Sequence, residues 1–128
     1  MARFQGLADS IQLLAERVER FITGLPEYGP LTPNKHSVLA SLLQSIGTLL
    51  DEQVSYQLEK YLRNHPAANG MSVPDAIDVV VKRCKTTRKV GARAVSKPTK
   101  RHFEIFEVQL IALKIALQQL SDFINKIK

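Results

Sequence analysis

The last quarter of the chain carries an apolar pattern that few folds can satisfy. Phe103, Phe106, Leu110, Leu113, Leu117, Leu120, Ile124 and Ile127 recur in an alternation of three and four. That is the heptad spacing of a helix packed lengthwise against others. A helix over residues 102–128 would be about 39 Å long. At about 1.5 to 3 kcal/mol per buried large apolar side chain, its seam is worth roughly 12 to 24 kcal/mol before ordering entropy is subtracted. It needs a partner surface of matching length, and we expect Phe103, Phe106, Leu110, Leu113, Leu117, Leu120 and Ile124 to form an oligomer interface. Ile105, Val108, Ile111, Ala112, Ile115 and Ala116 add a second apolar flank. A helix apolar on two sides is either the centre of its own bundle or part of a dimer interface.

Two further long helices are expected. Phe4, Leu7, Ile11, Leu14, Val18 and Phe21 form a second heptad stripe, stopped by Gly24 and Pro26. After a proline-rich connector over residues 25–33, in which Leu25, Tyr28 and Leu31 could cover a bundle end, Thr32 or Asn34 can cap a helix running to about Asn64. Its broad face (Leu39, Leu42, Leu43, Ile46, Leu49, Leu50, Val54, Leu58, Tyr61, Leu62) makes it the expected central partner of the last helix. Gly47 within it suggests close helix approach. The run from His65 to Gly70 breaks the chain, and Ser72 and Asp75 form a capping-box variant opening a short helix with Ala76, Ile77, Val80, Val81 and Cys84 inward. From Lys85 to Arg101 the apolar residues become small and scattered, and Gly91 and Pro98 interrupt, so a mobile basic loop is expected there. Ser96 or Thr99 can cap the last helix. These elements predict an all-α single domain over residues 1–128: a roughly antiparallel bundle of three long helices and one short one, its core built from the first, second and last.

Charge is informative once it is placed along the chain. The net charge of +6 arises from six basic against nine acidic residues over 1–81, nine against none over 82–103, and three against three thereafter. The whole excess sits on Lys82, Arg83, Lys85, Arg88, Lys89, Arg93, Lys97, Lys100 and Arg101. Nine cations without an acid repel one another, and a polyanion relieves that repulsion while releasing condensed counterions. Nucleic acid is the commonest such partner. No zinc-finger spacing, turn-helix signature or aromatic interleaving is present, so contacts to the phosphate backbone are expected rather than base readout. Anionic lipid is disfavoured, because only Val90 and Val95 could oppose the charges between Lys85 and Arg101.

Catalysis finds little support in the residues. His36, His65 and His102 lie apart, none with a Cys, Asp or Glu at metal-ligand spacing, and read as surface or capping side chains. Cys84 stands among cations that could lower its thiol pKa, but its place on an apolar helix face fits a core-edge cysteine better. Asp51 and Glu52 point different ways on a helix. We therefore expect no enzyme, metal or cofactor. With a single cysteine, no long uncharged apolar run and no signal-like N-terminus, an intracellular, cytoplasmic chain without a membrane span is expected. The leading expectation is a nucleic-acid-binding homodimer, with DNA and RNA not distinguished. The alternative is a non-enzymatic helical adaptor or assembly subunit that binds another protein through its apolar helix faces.

Overall fold

A computed structural model describes residues 4–25, 31–58 and 73–126. Its four helices are α1 (Gln5–Thr23), α2 (Pro33–Leu49), α3 (Val73–Ser96) and α4 (Lys100–Asn125), and α2 continues through a π-turn at Leu50–Val54. No strand occurs among the described residues. The all-α bundle expected from the apolar spacing is therefore what forms. The Tyr28 cover, the Ser72 cap, the break over 65–70 and the seam residue Ile127 lie outside the described residues.

Neighbouring helices are α1 with α2, α2 with α3, α3 with α4, and α4 with α1. Each pair runs in opposite directions. Ser121 donates its hydroxyl proton to the Ala8 carbonyl at 2.8 Å, while the Lys114 ammonium meets Glu19 at 2.7 Å, so α4 descends as α1 rises. Lys35 Nζ donates to the Gly24 carbonyl at 2.7 Å, tying the end of α1 to the start of α2. Thr87 donates to the Gln109 carbonyl at 3.5 Å, fixing α3 against α4. The result is an up-down-up-down four-helix bundle in which α2 and α4 are diagonal partners.

That arrangement corrects three expectations. First, α4 is held between α1 and α3, and α2 is not its central partner. The inward residues of α2 and its continuation, Leu39, Leu43, Ile46, Leu50, Val54 and Leu58, end in a run of fours. Steps of four drift around an α-helix, and the wider i→i+5 turn at Leu50–Val54 absorbs that drift and keeps all six facing inward. Second, the third helix is not short and residues 85–96 are not a loop: α3 runs unbroken to Ser96. The small residues there are not scattered. Val80, Cys84, Thr87, Gly91 and Ala94 step by four and three, a heptad stripe of small side chains that lets α3 lie close against the large side chains of α4. A Cβ on Gly91 would stand 3.2 Å from the Phe106 ring and 3.5 Å from both His36 and Leu39, so this glycine serves packing and does not break the helix. Third, Gly47 serves no close approach, since nothing lies within 4 Å of where its Cβ would be.

Caps agree with the boundaries. Thr32 accepts from the Lys35 amide and Thr99 from the His102 amide, while Pro98 separates α3 from α4. The core is continuous, from Leu7, Ile11 and Val18 on α1 to Phe106, Leu110, Leu113 and Leu117 on α4, with Leu31 closing one end and the Phe21 ring edge-on to Phe106 at 6.4 Å.

The two glycines should behave oppositely in urea denaturation. Gly47→Ala should raise stability by about 1 kcal/mol, the helix-propensity difference. Gly91→Ala should show no such gain, because its methyl must displace a fully buried ring, which typically costs about 1 to 3 kcal/mol. Leu110→Ala should lower stability by about 2 to 5 kcal/mol. Equal gains at both glycines would remove the close approach of α3 to Phe106.

Candidate nucleic-acid interface

The nine cations singled out from the sequence lie on the second half of α3, on the turn after it and on the first turn of α4. All nine are exposed. Lys82, Lys85, Lys89 and Arg93 step by three, four and four, so they share the face of α3 opposite its buried stripe. Arg83 and Arg88 fall on the two flanks of that face. Lys97 stands in the turn, where its amide donates to the Arg93 carbonyl at 2.7 Å. Lys100 and Arg101 open α4, whose first turn holds no acid. Lys82 to Arg93 spans roughly 16 Å of helix axis at 1.5 Å per residue.

The segment contains no acid, but its two ends meet one. Lys82 pairs with Asp78 at 2.9 Å, and Lys100 with Glu104 at 4.0 Å. The Asp78 hydrogen bond and charge raise the Lys82 pKa above its ordinary value. Both pairs are exposed, so they trim the positive field at its edges and add little to stability. No carboxylate among the described residues pairs with Arg83, Lys85, Arg88, Lys89, Arg93, Lys97 or Arg101. On the shared face, like charges at Lys85, Lys89 and Arg93 stand four apart, a spacing that weakens an isolated helix. Packing of the small-residue stripe outweighs that repulsion and holds the cations in line.

The seam expected as an oligomer interface is placed elsewhere. Phe103 is 6% exposed, and Phe106, Leu110, Leu113, Leu117, Leu120 and Ile124 are wholly buried within their own chain. They face α1 and α3 and are not open to a second copy. The flank that lies beside them in the sequence is the one left in solvent: Ile105, Val108, Ile111 and Ile115 are 39 to 60% exposed.

The remaining candidates resolve simply. Burial pushes the Cys84 thiol up to about 12, so the neighbouring cations do not activate it. His102 Nδ1 lies 2.6 Å from the Thr99 hydroxyl, a capping contact, and His36 sits near Gly91 in the first turn of α2. His65 lies outside the described residues. No group of three or more His, Cys, Asp or Glu is gathered to hold a metal among the described residues. No described helix is long and apolar enough to cross a membrane.

Compared with protein-family models, with curated proteins and with solved structures, the chain matches none. What the site can do has to be read from its own side chains.

The raised thiol pKa fixes a pH dependence. Above pH 9 the unfolded chain ionises Cys84 while the folded chain keeps it protonated, so this residue's contribution to stability is complete below about pH 9 and is lost as pH rises towards 12. Denaturant midpoints at pH 8 and pH 10 should therefore differ more in the native chain than in Cys84→Ala. Native Cys84 should also react slowly with iodoacetamide at pH 8 and quickly once urea unfolds the chain. Fast labelling of the folded protein would contradict its burial.

Proposed function

We propose that this chain is an intracellular, non-enzymatic nucleic-acid-binding protein that grips the phosphate backbone without reading bases. The observation that carries this reading is the outward face of α3. Lys82, Lys85, Lys89 and Arg93 stand in line on a rigid helix, three of them without a carboxylate partner among the described residues. At an axial rise of 3.4 Å per phosphate on one strand, such a line matches roughly five successive phosphates. Arg83 and Arg88 on its flanks and Lys97, Lys100 and Arg101 at its end extend the field, so the site is a surface and not a pocket. Stacking platforms are missing from the described face, whose only nearby ring, Phe103, is buried. That favours positioning contacts over sequence recognition.

A second reading has one observation in its favour. The exposed apolar stripe of α4 would suit a helical adaptor that binds another protein. The two readings differ in salt dependence. Titration of random duplex and single-stranded nucleic acid should give an affinity that falls with salt, with a logarithmic slope of roughly −3.6 if about four cations meet duplex phosphates. Replacing Lys85, Lys89 and Arg93 by glutamine should flatten that slope by about 0.9 for each phosphate no longer neutralised, with the circular dichroism unchanged. Absence of any shift at low salt, with a protein partner co-purifying in stoichiometric amount, would overturn the nucleic-acid reading in favour of the adaptor.

A further inference from the structure

Helix α4 has two apolar faces and buries only one. On the face turned from the core stand Ile105, Val108, Ile111 and Ile115, with half-buried Ala112 among them. Beyond this centre the same face carries Glu104 and Arg101 towards the helix N-terminus, and Gln119 and Asp122 towards its C-terminus. The pattern is palindromic. About a point between Ile111 and Ala112, Val108 and Ile115 are equidistant, as are Glu104 and Gln119, and as are Arg101 and Asp122. Neither Arg101 nor Asp122 has an ion-pair partner among the described residues.

We propose that a second copy of this chain docks on the outer face of α4, antiparallel, about a two-fold axis passing between Ile111 and Ala112. An isologous interface requires one patch to complement itself under rotation, and this patch does. Val108 of one copy comes level with Ile115 of the other, so the apolar centres cover each other. Arg101 comes level with Asp122 of the second copy at both ends, and Glu104 with Gln119, so no like charges are opposed among these paired positions. Ile105 of the second copy comes level with Gln118 and over a neighbouring groove of about 310 Å³, with Ala76, Val79, Ala116 and Phe123 as its apolar lining and Gln119, Asp122 and Lys126 as its polar rim. An unrelated partner would need only the apolar centre; the matched charges at equal distances on either side are what a second copy uses.

The pairing has a geometric consequence for the basic face. Two antiparallel helices related by a two-fold axis have that axis perpendicular to the plane that contains them. In an up-down-up-down bundle the outward faces of adjacent helices stand at about a right angle to one another. The outward face of α3 is therefore turned about a right angle from the apolar stripe of α4, and both α3 helices lie on the same side of that plane. Their outward faces then point the same way, along the axis. Thr87 is level with Gln109, which places Lys82, Lys85 and Lys89 close to the level of the axis. The dimer would thus present two parallel-facing rows of cations as one surface, and a polyanion would bind both rows with an avidity that neither has alone. The pairing itself rests on α4; the joint cationic surface rests in addition on the nucleic-acid reading.

The test uses the nuclease-treated full chain in sedimentation velocity across a wide concentration range. The native chain should sediment with the mass of two chains and dissociate on dilution. Val108→Glu with Ile115→Glu, both on the exposed face, should give a monomer of unchanged helicity. Arg101→Asp and Asp122→Arg should each weaken the dimer, and the two together should restore it. Register is read by oxidation. Ala112→Cys should form a disulfide between copies, whereas Gln119→Cys should not, because the two Gln119 positions would stand roughly 22 Å apart along the helices. A monomer at every concentration, a dimer indifferent to the glutamates, or equal cross-linking at both positions would overturn the proposal. Heparin retention is measured separately on native chain and on the glutamate variant. A dimer that heparin does not retain sinks only the polyanion reading, and a monomer retained in a salt-dependent way sinks only the pairing.

Discussion

The closure of the α4 seam inside its own chain is the interaction on which everything else depends. Seven large side chains from Phe103 to Ile124 are buried between α1 and α3, locked lengthwise by the Ser121 hydroxyl on the Ala8 carbonyl and by Lys114 on Glu19. A buried hydroxyl bonded to a backbone carbonyl opposes slip of register, because sliding α4 along α1 breaks that bond. With α4 pinned in rotation, its second apolar face has no choice but to point into solvent. The exposed stripe is therefore a result of how well the seam is satisfied.

The opposite wall of the core follows from size. Large residues on α4 meet small ones on α3, and the stripe Val80, Cys84, Thr87, Gly91 and Ala94 brings the α3 backbone close to Phe106. Close packing of this kind is what permits a helix carrying like charges four apart to persist. Repulsion along Lys85, Lys89 and Arg93 is worth only tenths of a kcal/mol per pair, while burial of the inner face is worth several times that. Charge is thus confined to the one face where it costs the fold little.

The apolar periods of α1, α2 and α4 are legible in the sequence because their buried residues are large. Leu7, Ile11, Leu14 and Val18 stand out from their neighbours, as do Phe106, Leu110 and Leu113. The second half of α3, from Lys85 onward, reads as a loop for the converse reason. There its heptad is written in threonine, glycine and alanine (Thr87, Gly91 and Ala94), whose hydrophobicity is too slight to mark a stripe although their spacing is regular. Gly91 reads as a breaker and is a contact, while Gly47 reads as a contact and faces open space. The identity of a helix's partner is also beyond the pattern. The face of α2 is the broadest in the chain, yet the short turn around Pro98 and the hydroxyl and ion-pair ties between α1 and α4 decide which helices pack together. The cationic residues are legible as a set; that four of them align on one face emerges only once α3 is known to be a helix.

A helical basic face differs physically from the mobile strap that the sequence suggests. A flexible segment must lose backbone freedom when it wraps a polyanion, at about 1 to 2 kcal/mol for each residue ordered. In α3 that ordering has already been met by the core, so a larger share of the counterion-release free energy remains available for binding. Rigidity also imposes a spacing. A loop can follow phosphates of any arrangement, whereas Lys82, Lys85, Lys89 and Arg93 hold a straight line whose length is set by the helix. Discrimination by shape, between strands that present phosphates in line and those that do not, is therefore open to a protein with no means of reading a base.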